Sequence, residues 1–134
     1  MKEAPTSESN GVLTYLKGRV KSFGYAFKGI WLLFSTQPNA KIHLVATAII
    51  GLMGLQLGLS AIEWCFIIGC IALVLTVEAI NTALEFLVDL VSPEYHELAG
   101  KAKDVAAAAV LLSVICCAVI WAIIYLPKIW MQWL

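Results

Sequence analysis

Charge is what this 134-residue chain has least of. Only 13% of its residues are Asp, Glu, Lys or Arg, with nine basic side chains balancing nine acidic ones. Zero net charge with few basic clusters argues against a nucleic-acid partner. The four cysteines, Cys65, Cys70, Cys116 and Cys117, have neither CxxC spacing nor nearby histidines, so they read as small apolar fillers rather than metal or redox groups. Residues 1–14 are polar and are not followed by a short apolar core with a small-residue cleavage site, so no cleavable leader is expected. No internal repeat or low-complexity run is seen. What the chain has in excess is apolar side chain, 61% of residues. A soluble domain this small leaves too much surface exposed to bury so much of it, so most of the chain has lipid as its solvent.

Three segments reach bilayer length: residues 42–59, with one ionisable side chain at His43; residues 62–90, holding a group of acids; and residues 105–126, without charge. About 20 apolar residues cross a ~30 Å hydrocarbon core. Three hairpin-length strands could not close a barrel, so only helices satisfy the backbone there. The expected fold class is an all-α membrane protein. Ahead of the spans, residues 15–34 place Leu16, Val20, Phe23, Phe27, Ile30, Trp31 and Phe34 apart from Lys17, Lys21 and Lys28, the pattern of a basic amphipathic helix lying in the interface plane. Residues 1–14 lack useful periodicity and read as a disordered tail, leaving 15–134 as one domain.

Pro38 disfavours helical geometry at Gln37 and predicts an elbow before the first span. The short connection from Gly58 to Ile62 makes the first two spans an antiparallel hairpin. Ser92 and Pro93 read as the N-cap and first residue of a further helix, with Glu97 and Lys101 as an i, i+4 pair. Lys17, Arg19, Lys21, Lys28 and Lys41 precede the first span and Lys101 and Lys103 lie between the second and third. The positive-inside rule then puts the N-terminus and the 91–104 loop in the cytosol and the C-terminus outside.

Against this apolar background Glu78, Asn81, Glu85 and Asp89 stand out. At about 100° per residue they fall within roughly 80° of one another, one stripe along one helix face. An acid at the centre of a membrane helix costs about 2.5–3.5 kcal/mol on insertion scales, so the stripe points to function. It covers about 16 Å of helix, enough to bridge from acyl-chain depth to water. Oxygen donors of this kind suit Mg²⁺ and phosphate, and phosphoryl transfer needs a metal bridge, a positive group and a base near the accepting hydroxyl. His96, Lys103 and Asp104 in the following loop supply further polar groups. A Walker loop is excluded, since Gly100-Lys101 is followed by Ala102 and Tyr95 stands where its leading Gly belongs. A proton or cation pathway is the competing class of function, but Trp64 to Val77 offers only Thr76 as a polar group, so the stripe stops halfway. A membrane scaffold leaves the stripe unexplained. His43 reads as an interfacial histidine and Glu63 as a marker of the outer boundary.

The runs Glu78 to Asp89 (EAINTALEFLVD) and Ser92 to Asp104 (SPEYHELAGKAKD), with Tyr25 to Gly29 (YAFKG), resemble the small prokaryotic diacylglycerol kinases, a family that includes undecaprenol kinases. The resemblance covers roughly residues 16–127. It implies a homotrimer, a surface helix plus three spans per chain, with active sites shared between subunits in the bacterial cytoplasmic membrane. It implies ATP as phosphate donor, Mg²⁺ as cofactor, and a lipid alcohol as acceptor: diacylglycerol giving phosphatidic acid, or alternatively undecaprenol. It implies that Glu78 is the general base and that Glu85 holds metal. Asn81, Asp89, Tyr95, His96, Glu97, Lys103 and Asp104 match positions around the nucleotide, and Tyr25 matches an aromatic near adenine. Gln37 stands where relatives carry a metal-binding Glu, so its amide oxygen brings no charge. Gly18 stands where some carry an ATP-touching Arg, with Arg19 adjacent. Ala106-Ala107 replaces a Gly-Ser pair of the diacylglycerol branch, which tilts acceptor choice towards undecaprenol.

Overall fold

The computed structural model describes residues 7–132 as four helices, α1 (Ser7–Thr36), α2 (Pro38–Gln56), α3 (Ala61–Val91) and α4 (Glu97–Gln132). The chain divides into two units, one ending at Thr36 and one beginning at Gln37. α1 is a 30-residue helix, and it begins eight residues before the expected start at residue 15. Of the expected disordered tail, residues 7–14 are therefore helical, and residues 1–6 lie outside the described residues.

The second unit begins at the elbow. Gln37 is extended (φ −95°, ψ 115°) because Pro38 bars it from helical geometry, and Pro38 opens α2, where its missing N–H costs nothing. α2 ends in a Schellman motif. Gly58 takes φ +62°, Leu59 N–H donates to Gly54 O at 3.1 Å, and Gly58 N–H donates to Leu55 O at 3.4 Å. α3 starts at once with a capping box: Ser60 N–H donates to Glu63 Oε2 at 2.7 Å, and Glu63 N–H to Ser60 Oγ at 3.4 Å. Glu63, read as a boundary marker, thus fixes the start of the helix, and it also pairs with Lys128 of α4 at 3.2 Å.

The predicted helix start at Ser92 is corrected. Pro93 takes Ser92 off the helical region, so Ser92 closes α3, its N–H donating to Val88 O at 2.9 Å and its Oγ to Glu94 O at 3.1 Å. The new helix is capped four residues later by His96, whose Nδ1 accepts from Leu98 N–H at 3.2 Å. From Glu97 the chain is continuous helix to Gln132, so residues 97–104 belong to the third long helix and not to a loop. Glu97 and Lys101 do pair, at 2.6 Å and well exposed.

α3 packs against both α2 and α4. At the turn end, Tyr125 is fully buried with Leu59 and Ile67, stacks on Trp121 with 5.2 Å between ring centroids, and donates its hydroxyl to Ile50 O at 2.8 Å. Gly54 makes this packing possible, because a Cβ there would sit 2.9 Å from both the Trp64 ring and the Tyr125 hydroxyl. Trp64 is half-buried against this cluster. α2, α3 and α4 are each long and apolar enough to cross a membrane. Phe66, Ile68, Leu112 and Val119 turn outward, as lipid-facing side chains do.

Candidate active site

The buried face of α3 changes character along its length. Ile67 and Val74 are buried in its first half, and Glu78, Asn81 and Thr82 in its second, although α3 is otherwise apolar. Glu78 is 1% exposed, and its Oε2 has no hydrogen-bond partner; Asn81 Oδ1 is likewise buried and unpartnered. A buried polar group without a partner costs about 1–3 kcal/mol, more when it is charged. Two such oxygens within one turn are acceptors held ready for something outside the chain. The remaining contacts hold them in position: Asn81 Nδ2 donates to Glu85 Oε1 at 3.0 Å, and Thr82 Oγ1 donates back to Glu78 O at 3.0 Å. Glu78 also interacts electrostatically with Glu85 and with His43 of α2.

One helical turn beyond Glu85 the stripe reaches solvent. Asp89 is exposed and pairs with Lys103 of α4 at 2.5 Å. The pair forms one wall of a cleft of about 260 Å³ that Ser92, Tyr95, His96 and Gly100 also line. The bend forced by Pro93 folds the 92–96 segment back over the start of α4. This brings a carboxylate, an ammonium, an imidazole and a phenol ring around one space. Tyr95 is 94% exposed, a free ring rather than a packed one.

Not every expected site residue joins these two groups. Glu97 is taken by Lys101, and Asp104 is exposed and does not line the cleft. Gln37 is half-buried in the elbow and makes no capping bond. Tyr25 belongs to α1, where the Lys21 and Lys28 ammonium groups lie 5.8 and 5.9 Å from its ring. Two residues beside the acid were not taken as site residues from the sequence. Thr82 could have been found as the i+4 neighbour of Glu78, whereas His43, read as interfacial, gave no signal of its proximity to the acid. Among the described residues no three His, Cys, Asp or Glu side chains converge to hold a metal by themselves. Mg²⁺ does not require such a cage, since it commonly takes one or two carboxylates and completes its shell with water and substrate phosphate. The Glu85 carboxylate, with the unpartnered amide oxygen of Asn81 beside it, is a hard donor set that fits this requirement.

Three membrane-length helices, with a buried carboxylate beneath a polar cleft at one end, define an integral membrane protein whose polar site faces one side only. A family model described as prokaryotic diacylglycerol kinase matches residues 24–125. The undecaprenol kinase of Bacillus subtilis is 38% identical over 109 residues, 81% of this chain and 89% of that protein. The diacylglycerol kinase of Escherichia coli K12 is 34% identical over 105 residues, 78% of this chain and 86% of its own. That of Synechocystis is 40% identical over 109 residues, 81% of this chain and 62% of the longer relative. The chain belongs to the prokaryotic diacylglycerol kinase family. It is a membrane-embedded lipid kinase, and kinases of this family use ATP.

Proposed function

We propose that the protein transfers the γ-phosphoryl group of MgATP to the hydroxyl of a membrane lipid alcohol at the cytosolic leaflet of the bacterial inner membrane. The acceptor is diacylglycerol, giving phosphatidic acid, or undecaprenol, giving undecaprenyl phosphate. The second is favoured by Ala106-Ala107. The observation that carries the reading is Glu78, a buried carboxylate with a free oxygen on the stripe of an apolar helix that leads to the polar cleft at Asp89.

Glu78 takes the proton from the lipid hydroxyl as that oxygen attacks the γ-phosphorus; the bond from γ-phosphorus to the bridging oxygen breaks, and ADP leaves. Lys103 reaches phosphate oxygens from the cleft wall, with Asp89 holding its ammonium in place. Asn81, Tyr95 and His96 surround the nucleotide, Glu97 and Asp104 contact it from outside the cleft, and Tyr25, on α1, has adenine as its expected partner. Glu85 and Gln37 would hold Mg²⁺, which when bound neutralises charge on the phosphate oxygens. α1 lies in the interface plane, since Lys17, Lys21 and Lys28 share a face turned about 100° from the one that carries Phe23, Phe27 and Trp31. The excess of Lys and Arg before α2 and at the start of α4 supports a cytosolic N-terminus and 92–96 loop, with the C-terminus outside. Three copies share active sites.

The test presents the purified protein in lipid with γ-labelled ATP and each alcohol in turn. Label in phosphatidic acid or undecaprenyl phosphate is expected. Label in neither overturns the assignment.

A further inference from the structure

A general base works more than once only if it can lose the proton that it takes. Glu78 is 1% exposed, so water does not strip its carboxyl directly. A neighbouring group must do so, and the titratable side chains that interact with it electrostatically are Glu85 and His43. Glu85 lies on the same helix and already accepts from Asn81 Nδ2 at 3.0 Å. As a carboxylate of the same kind, and one assigned to metal, it is a poor sink for a proton.

His43 comes from a different helix, and the packing of α2 on α3 sets its level. The inward stripe of α2 passes through Ile50, Thr47 and His43 and that of α3 through Ile67, Ile71 and Val74, all facing one cavity of about 220 Å³. Since the two helices run antiparallel, His43 and Val74 close the same end of this cavity. Glu78 is the next turn of α3, about 6 Å of helix beyond Val74. Ala40, one turn from His43 towards the elbow, is fully buried, so the inward stripe of α2 continues past the imidazole. His43 itself is half-buried, which connects the neighbourhood of the buried carboxylate with the bundle surface. Among the described residues no hydrogen bond engages its ring, and both nitrogens are free. The thiols of Cys70 and Cys117 share the cavity wall, but Cys70 is about 12 Å of helix from Glu78, and Cys117 donates to Cys70 O at 3.6 Å. Imidazole is the side chain whose ordinary titration lies nearest neutrality, so it can both take up a proton and give it away.

We propose that His43 takes from Glu78 the proton that the lipid hydroxyl has given up, and passes it to water at the bundle surface. The inference rests on the kinase reading and adds the step that readies the site for another turnover. In the first transfer the O–H bond of the alcohol breaks and an O–H bond forms on the Glu78 carboxylate. In the second, that bond breaks with its electron pair left on the carboxylate, and the lone pair of an unprotonated ring nitrogen forms an N–H bond. The imidazolium then releases the proton to water, so no oxidant, reductant or further reactant is consumed. His43 acts through Glu78 and not on the substrates.

The full-length protein in lipid nanodiscs would be compared with His43→Gln and His43→Ala, using γ-labelled ATP and whichever of diacylglycerol and undecaprenol is the better acceptor. Steady-state turnover should fall about 10²-fold in both variants, with KM for ATP unchanged. In rapid quench, product should form in a burst stoichiometric with active sites before the slow phase, because the first acceptor still meets an ionised Glu78. Added imidazole should restore turnover of His43→Ala and leave Glu78→Gln inactive. Unchanged turnover overturns the proposal. So does a loss with neither burst nor imidazole rescue, which is what a packing role or direct contact with the acceptor would give. A further readout needs no turnover: the chain has two histidines, and the nitrogen-15 resonances of His43 should change in Glu78→Gln at neutral pH while those of His96 do not. An unchanged His43 spectrum overturns the proposal by itself. Should the unaltered protein phosphorylate neither alcohol, the kinase reading falls, and the spectrum still decides whether imidazole and carboxylate are coupled.

Discussion

The two ends of the α2–α4 bundle treat their polar side chains differently. At the turn end the Tyr125 hydroxyl donates to Ile50 O, and Glu63 is held by the Ser60 backbone N–H and by Lys128. At the loop end Glu78 Oε2 and Asn81 Oδ1 are buried with nothing to bind. Both ends are made from the same helices and placed in the same solvent, so desolvation alone does not account for the difference. At the turn end partnered groups lock the bundle, although the Trp121 indole N–H there is also buried without an acceptor, and at the loop end the unpartnered oxygens of Glu78 and Asn81 are kept available for a ligand at a standing cost to stability. Enzymes commonly hold active sites in this less stable state.

The sharpest way to break that comparison is Glu78→Gln. Loss of a general base lowers turnover by about 10²–10⁴-fold, while removal of an uncompensated buried carboxylate should leave the thermal midpoint unchanged or raised. Phosphorylation assays beside a circular-dichroism melt check both halves; retained turnover removes Glu78 as base, and a lowered midpoint removes the claim that its carboxylate is strained. Next in size is Lys103→Met. Charged hydrogen bonds are worth about 1.5–3 kcal/mol, so KM for ATP should rise about tenfold or more with the lipid KM little changed. An unchanged KM for ATP would take Lys103 out of the phosphate site.

At the other end, Gly54→Ala places a methyl group 2.9 Å from the Trp64 ring and the Tyr125 hydroxyl. Overpacking costs about 1–3 kcal/mol, read as a lower unfolding midpoint. Because Gly54 lies far along the bundle from Glu78, the turnover of protein that remains folded should be unaffected. A kinetic defect equal to the one in Lys103→Met would show that the ends are not separable.

The parts of this architecture that follow from local rules were legible in the sequence. Hydrophobic length marked the spans, Pro38 marked the elbow, and the i, i+3/i+4 spacing placed Glu78, Asn81 and Glu85 on one face, where the structure has Asn81 bonded to Glu85. What was misread depends on contacts distant in sequence or on competition between caps. Ser92-Pro93 has the composition of a helix start, yet the same proline ends α3, and His96 takes the capping role. His43 comes near enough to Glu78 to interact electrostatically only because α2 and α3 pair as a hairpin, and nothing within either segment encodes that pairing distance. The cleft at Asp89 and Lys103 joins residues fourteen apart through a bend, which periodicity cannot predict.

The smallest expected effect is the most exacting test of the comparison. Tyr125→Phe removes only the hydroxyl that donates to Ile50 O and keeps the stacked, fully buried ring. Polar contacts between membrane helices average about 0.6 kcal/mol in double-mutant cycles, so the unfolding midpoint should fall slightly and turnover not at all. The carbonyl left behind keeps its place in the α2 helix ladder, which limits the penalty. Combining Tyr125→Phe with Gly54→Ala should cost less than the two separate effects added together, because the phenyl ring no longer presents the oxygen that the new methyl would strike. Strict additivity would mean that Gly54 is required by Trp64 alone. A turnover loss in Tyr125→Phe would mean that tension at the locked end reaches Glu78, and the division of labour between the two ends would not stand.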